Sequence, residues 1–427
     1  MARWHRRTFL QGLLGTGAFA LAGARRAEAR EWPHVPLPAG DDLTRRFPDL
    51  RRHFAFEYYP WYGGPPDYVH WADLDRRPPL DVAARHLPRL GAYDVRSPAV
   101  LEQHARWIRE SGAGAVSLSW WGPGSWEDQR VHLVMDVFKD HDLAVTFGLE
   151  PYAPDRGQRF ADDVLYLLRE YGEKRRYDAF LLPRNEDGSR GPVFKGFRTI
   201  VPDAEADCRG RVSPVPDHTP DDVWRGQIDR IRRTLRGEFD RVTLLADSVH
   251  FARTPASGFD GIGIYDNFIG PEQYAAIADA ASEAGLLFSL NVNPGYDQIE
   301  PRQVPPEDDC YRPRPLAPPA EYDWTREEER ERAAAASLQR IRDSFRATVA
   351  VQTDPRLANR QRGFFFVYVN SFNEWHEGHA FEPMKDAKDL TPEERRQGYR
   401  NPARGDQRLA VLSELMQGLF AAGRAPA

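Results

Sequence analysis

Eight short apolar runs recur along this chain, and most are separated from the next by a segment with helical spacing. The runs lie at 54–59, 115–121, 143–150, 179–182 or 192–194, 242–247, 261–265, 286–291 and 364–370. Segments 99–111, 129–139, 161–171, 223–235, 273–284 and 326–349 carry apolar residues three and four apart, and 408–422 closes the chain. Strands alternating with helices predict a parallel sheet joined by helical crossovers. A second regularity favours closure into an α/β (β/α)8 TIM barrel. Polar and aromatic residues follow the strands: Tyr59 and Trp61, Trp120 and Trp121, Glu150 and Tyr152, Asp247, Tyr265 and Asp266, Asn293 and Tyr296, Glu374 and Glu377. Barrel enzymes build their sites at that end of the strands. An open doubly wound sheet would want a Gly-x-Gly-x-x-Gly turn after a strand, and none is present.

Before the first run, His5-Arg6-Arg7-Thr8-Phe9-Leu10 opens an apolar stretch, and Ala27-Glu28-Ala29 offers small residues at a cleavage position. That order predicts a Tat-type signal peptide over 1–29, the Tat export machinery as a partner, and a periplasmic or secreted bacterial protein. The stretch is too short and glycine-rich for a membrane span of about 20 residues, so no stable membrane insertion is expected. Residues 30–52 read as an N-terminal linker and 53–424 as one catalytic domain. A net charge of −6 gives no reason to expect nucleic acid. Cys208 and Cys310 are the two cysteines, both in proline-rich sequence, with pairing left open. The stretches 184–220 and 301–322, rich in Pro and charge, read as long excursions after strands four and seven.

The last apolar run ends abruptly in Asn370-Ser371-Phe372-Asn373-Glu374-Trp375-His376-Glu377-Gly378. Two carboxylates three residues apart, among aromatics, suit glycosidic cleavage. One group gives a proton to the leaving oxygen while the other supports the electron-poor anomeric carbon. On a turn of helix that spacing brings the Cβ atoms to about 5–6 Å, and a carboxylate pair about 5–5.5 Å apart fits retention of configuration. Repulsion within such a pair would hold one proton near neutral pH. His376 and His379 are not spaced as His-Glu-x-x-His and lack an obvious third ligand, so no metal is expected.

The block 371–378, with Phe381-Glu382-Pro383 after it, closely resembles the signature of glycoside hydrolase family 99, the endo-α-mannosidases and endo-α-mannanases. Earlier blocks agree in order: Tyr58-Tyr59-Pro60-Trp61-Tyr62-Gly63-Gly64-Pro65, His70-Trp71, 86–94, Ser119-Trp120-Trp121-Gly122, Glu150-Pro151-Tyr152, Phe259-Asp260-Gly261 and Pro294-Gly295-Tyr296-Asp297. The resemblance implies a (β/α)8 barrel without cofactor or metal, acting on an α-linked oligo- or polysaccharide with retention through a 1,2-anhydro sugar. By position, Glu374 would be the base on the sugar 2-hydroxyl and Glu377 the general acid/base. Tyr59, Trp61, His70, Trp120, Trp121, Glu150, Tyr152, Tyr265, Tyr296, Asn373, Trp375 and His376 are the expected substrate-binding residues. The chain departs from the family's pattern at Phe194-Lys195-Gly196-Phe197, at Asp266-Asn267 and before Pro294. Two other functions remain open: a carbohydrate-binding barrel without catalysis, and a polysaccharide-assembly protein resembling glycosyltransferases.

Overall fold

The computed structural model of the chain describes residues 40–207, 209–296 and 325–421. Eight parallel strands form one sheet: β1 Phe54–Tyr58, β2 Ala115–Trp120, β3 Ala144–Leu149, β4 Val193–Gly196, β5 Thr243–Ala246, β6 Gly261–Gly263, β7 Leu287–Ser289 and β8 Val367–Val369. Their order is β8-β1-β2-β3-β4-β5-β6-β7. The circuit closes just beyond β7, where the Val292 N–H donates to Tyr368 O and its carbonyl accepts from the Asn370 N–H, both at 2.9 Å. The sheet is therefore a barrel.

The two-residue period of a strand decides which side chains reach the site. In β2, Ala115 joins an interior cluster with Ala55, Ala144, Val193, Leu245, Leu287, Phe366 and Tyr368. Val116, Leu118 and Trp120 instead belong to the larger core between strands and helices. Ser117 and Ser119 share Ala115's parity and line the interior. The helix Pro98–Glu110 starts with Ser97 extended and Pro98 in its first turn, where proline costs no hydrogen bond. It buries Leu101, Ala105 and Ile108 against the sheet, roughly 1.5–3 kcal/mol for each large side chain removed from water.

Three sequence expectations shift. The fourth strand is Val193–Gly196; the 179–182 run makes only a bridge, Phe180 against Val145. Much of the excursion 184–220 is thus structured, and it also holds a hairpin of Ala204–Ala206 with Val212–Pro214. Leu43, Phe47 and Leu50 are buried in the main core, so the end of the supposed linker belongs to the folded body. The closing helix Gln407–Ala421 packs on Glu327–Thr353 and on the N-terminal helix Gly40–Arg46. The segments 1–29 and 301–322 and both cysteines lie outside the described residues. Among the described residues, no helix is long and apolar enough to cross a membrane.

Candidate active site

The segment after β8 is a turn-rich loop rather than a helix, and it is braced against the end of β1. Asn373 clamps the backbone of Tyr59, its side chain accepting from the N–H at 2.8 Å and donating to the carbonyl at 3.0 Å. The Trp375 indole donates to Glu382 at 2.8 Å while its backbone N–H donates to the Tyr62 hydroxyl at 3.1 Å. Glu382 also accepts from Tyr93 at 2.8 Å. Asn373 and Trp375 therefore brace the loop with their polar groups.

That bracing holds two buried carboxylates. Glu374 has its backbone N–H on Ser371 Oγ at 2.9 Å, and its Oε1 accepts from the His376 N–H at 3.1 Å. Burial, and then the nearby negative charge of Glu374, push the Tyr62 phenol well up. Glu377 Oε2 accepts from the Tyr265 hydroxyl at 2.5 Å and lies 2.8 Å from His379 Nε2. The same His379 nitrogen is 3.1 Å from the Tyr265 oxygen, so the three groups form a closed triangle. Tyr296 stands beside it, 5.4 Å from the His379 ring, and its hydroxyl meets Asp266 at 3.4 Å. Asp266 is pushed up to about 6 by burial, with the charges of Asp247 and Glu377 adding to the effect.

Inside the barrel mouth, Glu57, Tyr59, Ser119, Glu150, Lys195 and Tyr265 line a small cavity. Glu150 accepts from Ser119 Oγ at 2.7 Å, and the Trp121 indole donates to the same hydroxyl at 3.1 Å. Lys195 is ion-paired with Glu57, and its ammonium lies over the Tyr368 ring at 4.2 Å. At the lip, the Trp61 ring sits 4.6 Å from Tyr59, 4.6 Å from His70, 6.0 Å from His376 and 6.5 Å from Trp121. Contacts run from Glu374 through His376 and Trp61 to Tyr59, which lines the same cavity as Tyr265, the partner of Glu377.

Ten of the twelve expected substrate-binding residues border this mouth or brace it directly. Trp120 does not: its parity turns it outward, where its indole donates to Asp128 at 2.7 Å and its ring stacks on Tyr166. Tyr152 is likewise turned away, its hydroxyl donating to Asp163 at 2.8 and 2.9 Å and its ring against Trp120. Glu57, Ser119, Lys195 and His379 were missed. The signal for Lys195 and Glu57 was available, since a charge inside an apolar strand is rarely buried unless paired. His379 pairs with Glu377, and His376 with His70, so the two histidines of the loop do not act together.

The profile described as Glycosyl hydrolase family 99 matches residues 49–182, from the turn before β1 to just before β4. Over that span the chain is similar to glycosyl hydrolase family 99. It is accordingly a glycoside hydrolase, similar to the endo-α-mannosidases. A glycoprotein endo-alpha-1,2-mannosidase of Mus musculus is 24% identical over 383 residues, covering 82% of this chain and 71% of that protein. A glycoprotein endo-alpha-1,2-mannosidase-like protein of Danio rerio is 26% identical over 360 residues, covering 76% and 69%. The solved GH99 endo-alpha-mannosidase from Bacteroides thetaiotaomicron has the same barrel, with a TM-score of 0.60 over 88% of this chain and 99% of that one, at 20% identity. The likeness to family 99 and the barrel thus agree with the sequence reading.

Proposed function

We propose that the protein is a retaining, endo-acting α-mannoside hydrolase in which Glu374 and Glu377 carry the chemistry. The observation that supports this most is the different setting of the two buried carboxylates. Glu374 accepts a backbone N–H and lies on the Trp61 and His376 side, while Glu377 is held by the Tyr265 hydroxyl and His379. Two carboxylates in unlike surroundings suit two unlike proton-transfer roles.

In the first step Glu374 takes the proton of the sugar 2-hydroxyl as that oxygen attacks the anomeric carbon. Glu377 gives its proton to the departing glycosidic oxygen, and the C1–O1 bond breaks to leave a 1,2-anhydro sugar. In the second step Glu377 takes a proton from water, whose oxygen attacks C1. The C1–O2 bond opens, and O2 recovers its proton from Glu374. Two inversions at one carbon give net retention. Trp121, partly exposed, offers a flat face for a sugar ring, and Glu150 offers an acceptor for sugar hydroxyls. Names of the similar proteins support an α-1,2-linked mannose glycan as substrate.

The test is substitution. Glu374→Gln and Glu377→Gln should each lower kcat on a defined α-mannan oligosaccharide by about 10²–10⁴-fold while calorimetry still records oligosaccharide binding. Full activity in either variant would contradict the assignment. We also infer Tat export to the periplasm or medium, supported by the Arg6-Arg7 pair and the apolar stretch after it. Cell fractionation of an Arg6→Lys/Arg7→Lys variant should find the protein retained inside, and unchanged export would overturn the inference.

A further inference from the structure

One side-chain cluster at the lip is not used by the chemistry above. His70, Asp73 and His376 each place one possible ligand atom so that all three atoms lie within 4.8 Å of one another. The two imidazoles come from segments 306 residues apart and lie against one ring, that of Trp61. Their centroids are 5.7 Å apart. Two imidazoles on one tetrahedral zinc, with Zn–N of about 2.0–2.1 Å, would have centroids roughly 5 Å apart, so a small closing movement suffices.

The outer contacts have the form of a supporting shell. His376 Nε2 lies 2.8 Å from the His70 carbonyl; donating there leaves Nδ1 as the lone-pair nitrogen. A ligand histidine commonly donates its other N–H to a carbonyl or carboxylate in this way. His70 Nδ1 lies 3.0 Å from Asp73 Oδ2, which leaves Asp73 as a carboxylate ligand or as the partner that orients the ring. Further negative charge is close. Glu374 Oε1 is 3.7 Å from His376 Nδ1, and Glu127, nearly buried, interacts electrostatically with His70. All three ligand residues are partly exposed, so an ion has a way in. The segment carrying His70 and Asp73 is tightly folded, with Tyr68, His70, Leu74 and Asp75 all in the left-handed region.

We propose that His70, Asp73 and His376 form a binding site for a zinc-class divalent cation, and that an ion there acts as a brake on hydrolysis. It would draw the His376 ring toward His70 and disturb the contact by which the His376 N–H holds Glu374 Oε1, moving the group assigned as base out of place. The mixed nitrogen and carboxylate donors favour zinc over magnesium or calcium, which prefer oxygen.

Calorimetry with Zn²⁺ on the metal-free protein, and with Co²⁺ followed by visible absorption, reads binding without reference to activity. One ion per chain is expected, with the spectrum of a four- or five-coordinate nitrogen-ligated Co²⁺. His70→Ala and Asp73→Asn should each weaken binding by at least about tenfold. Asp73→Asn carries the test if His70→Ala fails to fold, because the Asp73 side chain is 39% exposed. Absence of stoichiometric binding, or binding unchanged in Asp73→Asn, would overturn the site. The braking role rests on the hydrolytic reading and is read separately. Saturating Zn²⁺ should lower turnover at least tenfold, reversed by chelator and lost in Asp73→Asn. A bound ion with undiminished turnover would overturn the brake alone, and a metal-free protein inert on every α-mannoside would overturn the hydrolytic reading instead.

Discussion

At the scale of single residues, the two acids are distinguished by what surrounds them rather than by their spacing. Glu377 takes its hydrogen bond from Tyr265, and a bond to a charged group contributes about 1.5–3 kcal/mol. Tyr265→Phe should therefore lower kcat roughly tenfold to a hundredfold with little change in KM, measured under saturating substrate. An unchanged kcat would mean that the hydroxyl merely packs. The acids themselves were legible in the sequence because they interrupt an apolar run among aromatics. Their partners were less so. His379 sits in the next turn of the same loop, yet its contact with Tyr265 joins residues 114 apart, and no local pattern reports such a distance. Trp120 and Trp121 looked equivalent in the sequence. The parity of β2 separates them, sending one into the packing between sheet and helix and leaving the other at the mouth.

Among the elements, β4 was the hardest strand to read, because Val193–Gly196 holds a lysine and a glycine where a buried strand would be apolar. The lysine is tolerated because β1 supplies Glu57 across the barrel. Removing one member of a buried pair costs about 3–5 kcal/mol, whereas replacing both is close to neutral. Urea unfolding should find Lys195→Met strongly destabilised and the double variant Glu57→Leu/Lys195→Met near the parent; a double variant no better than the single would refute the pairing. A second buried carboxyl sets a pH dependence in the helix Arg156–Leu167. Asp163 is pushed up to about 7, chiefly by burial, with the Tyr152 hydroxyl partly opposing the rise. Its carboxyl stays protonated in the folded state while the unfolded chain ionises near 3.8. Stability from this group is full below pH 3.8 and is lost as pH rises through 7. Asp163→Asn should flatten the fall in unfolding midpoint between those values, and an unaltered pH profile would contradict the assignment.

For the whole molecule, eight apolar runs sufficed to indicate a closed barrel, because strands buried on both faces read as short continuous apolar stretches between helical segments. What the runs could not reveal was which loops converge at the mouth, since that depends on closure between β7 and β8 near Val292 and Val369. Convergence is what brings Tyr59, Glu150, Tyr265 and the loop of Glu374 and Glu377 to one end of the barrel. In the mechanism we propose, these groups cleave an α-mannoside by two displacements at the same carbon. The direct test is proton NMR of the first product released from a defined α-mannan oligosaccharide, recorded before mutarotation. The α-anomer should appear first and the β-anomer only later; release of the β-anomer first would contradict the mechanism.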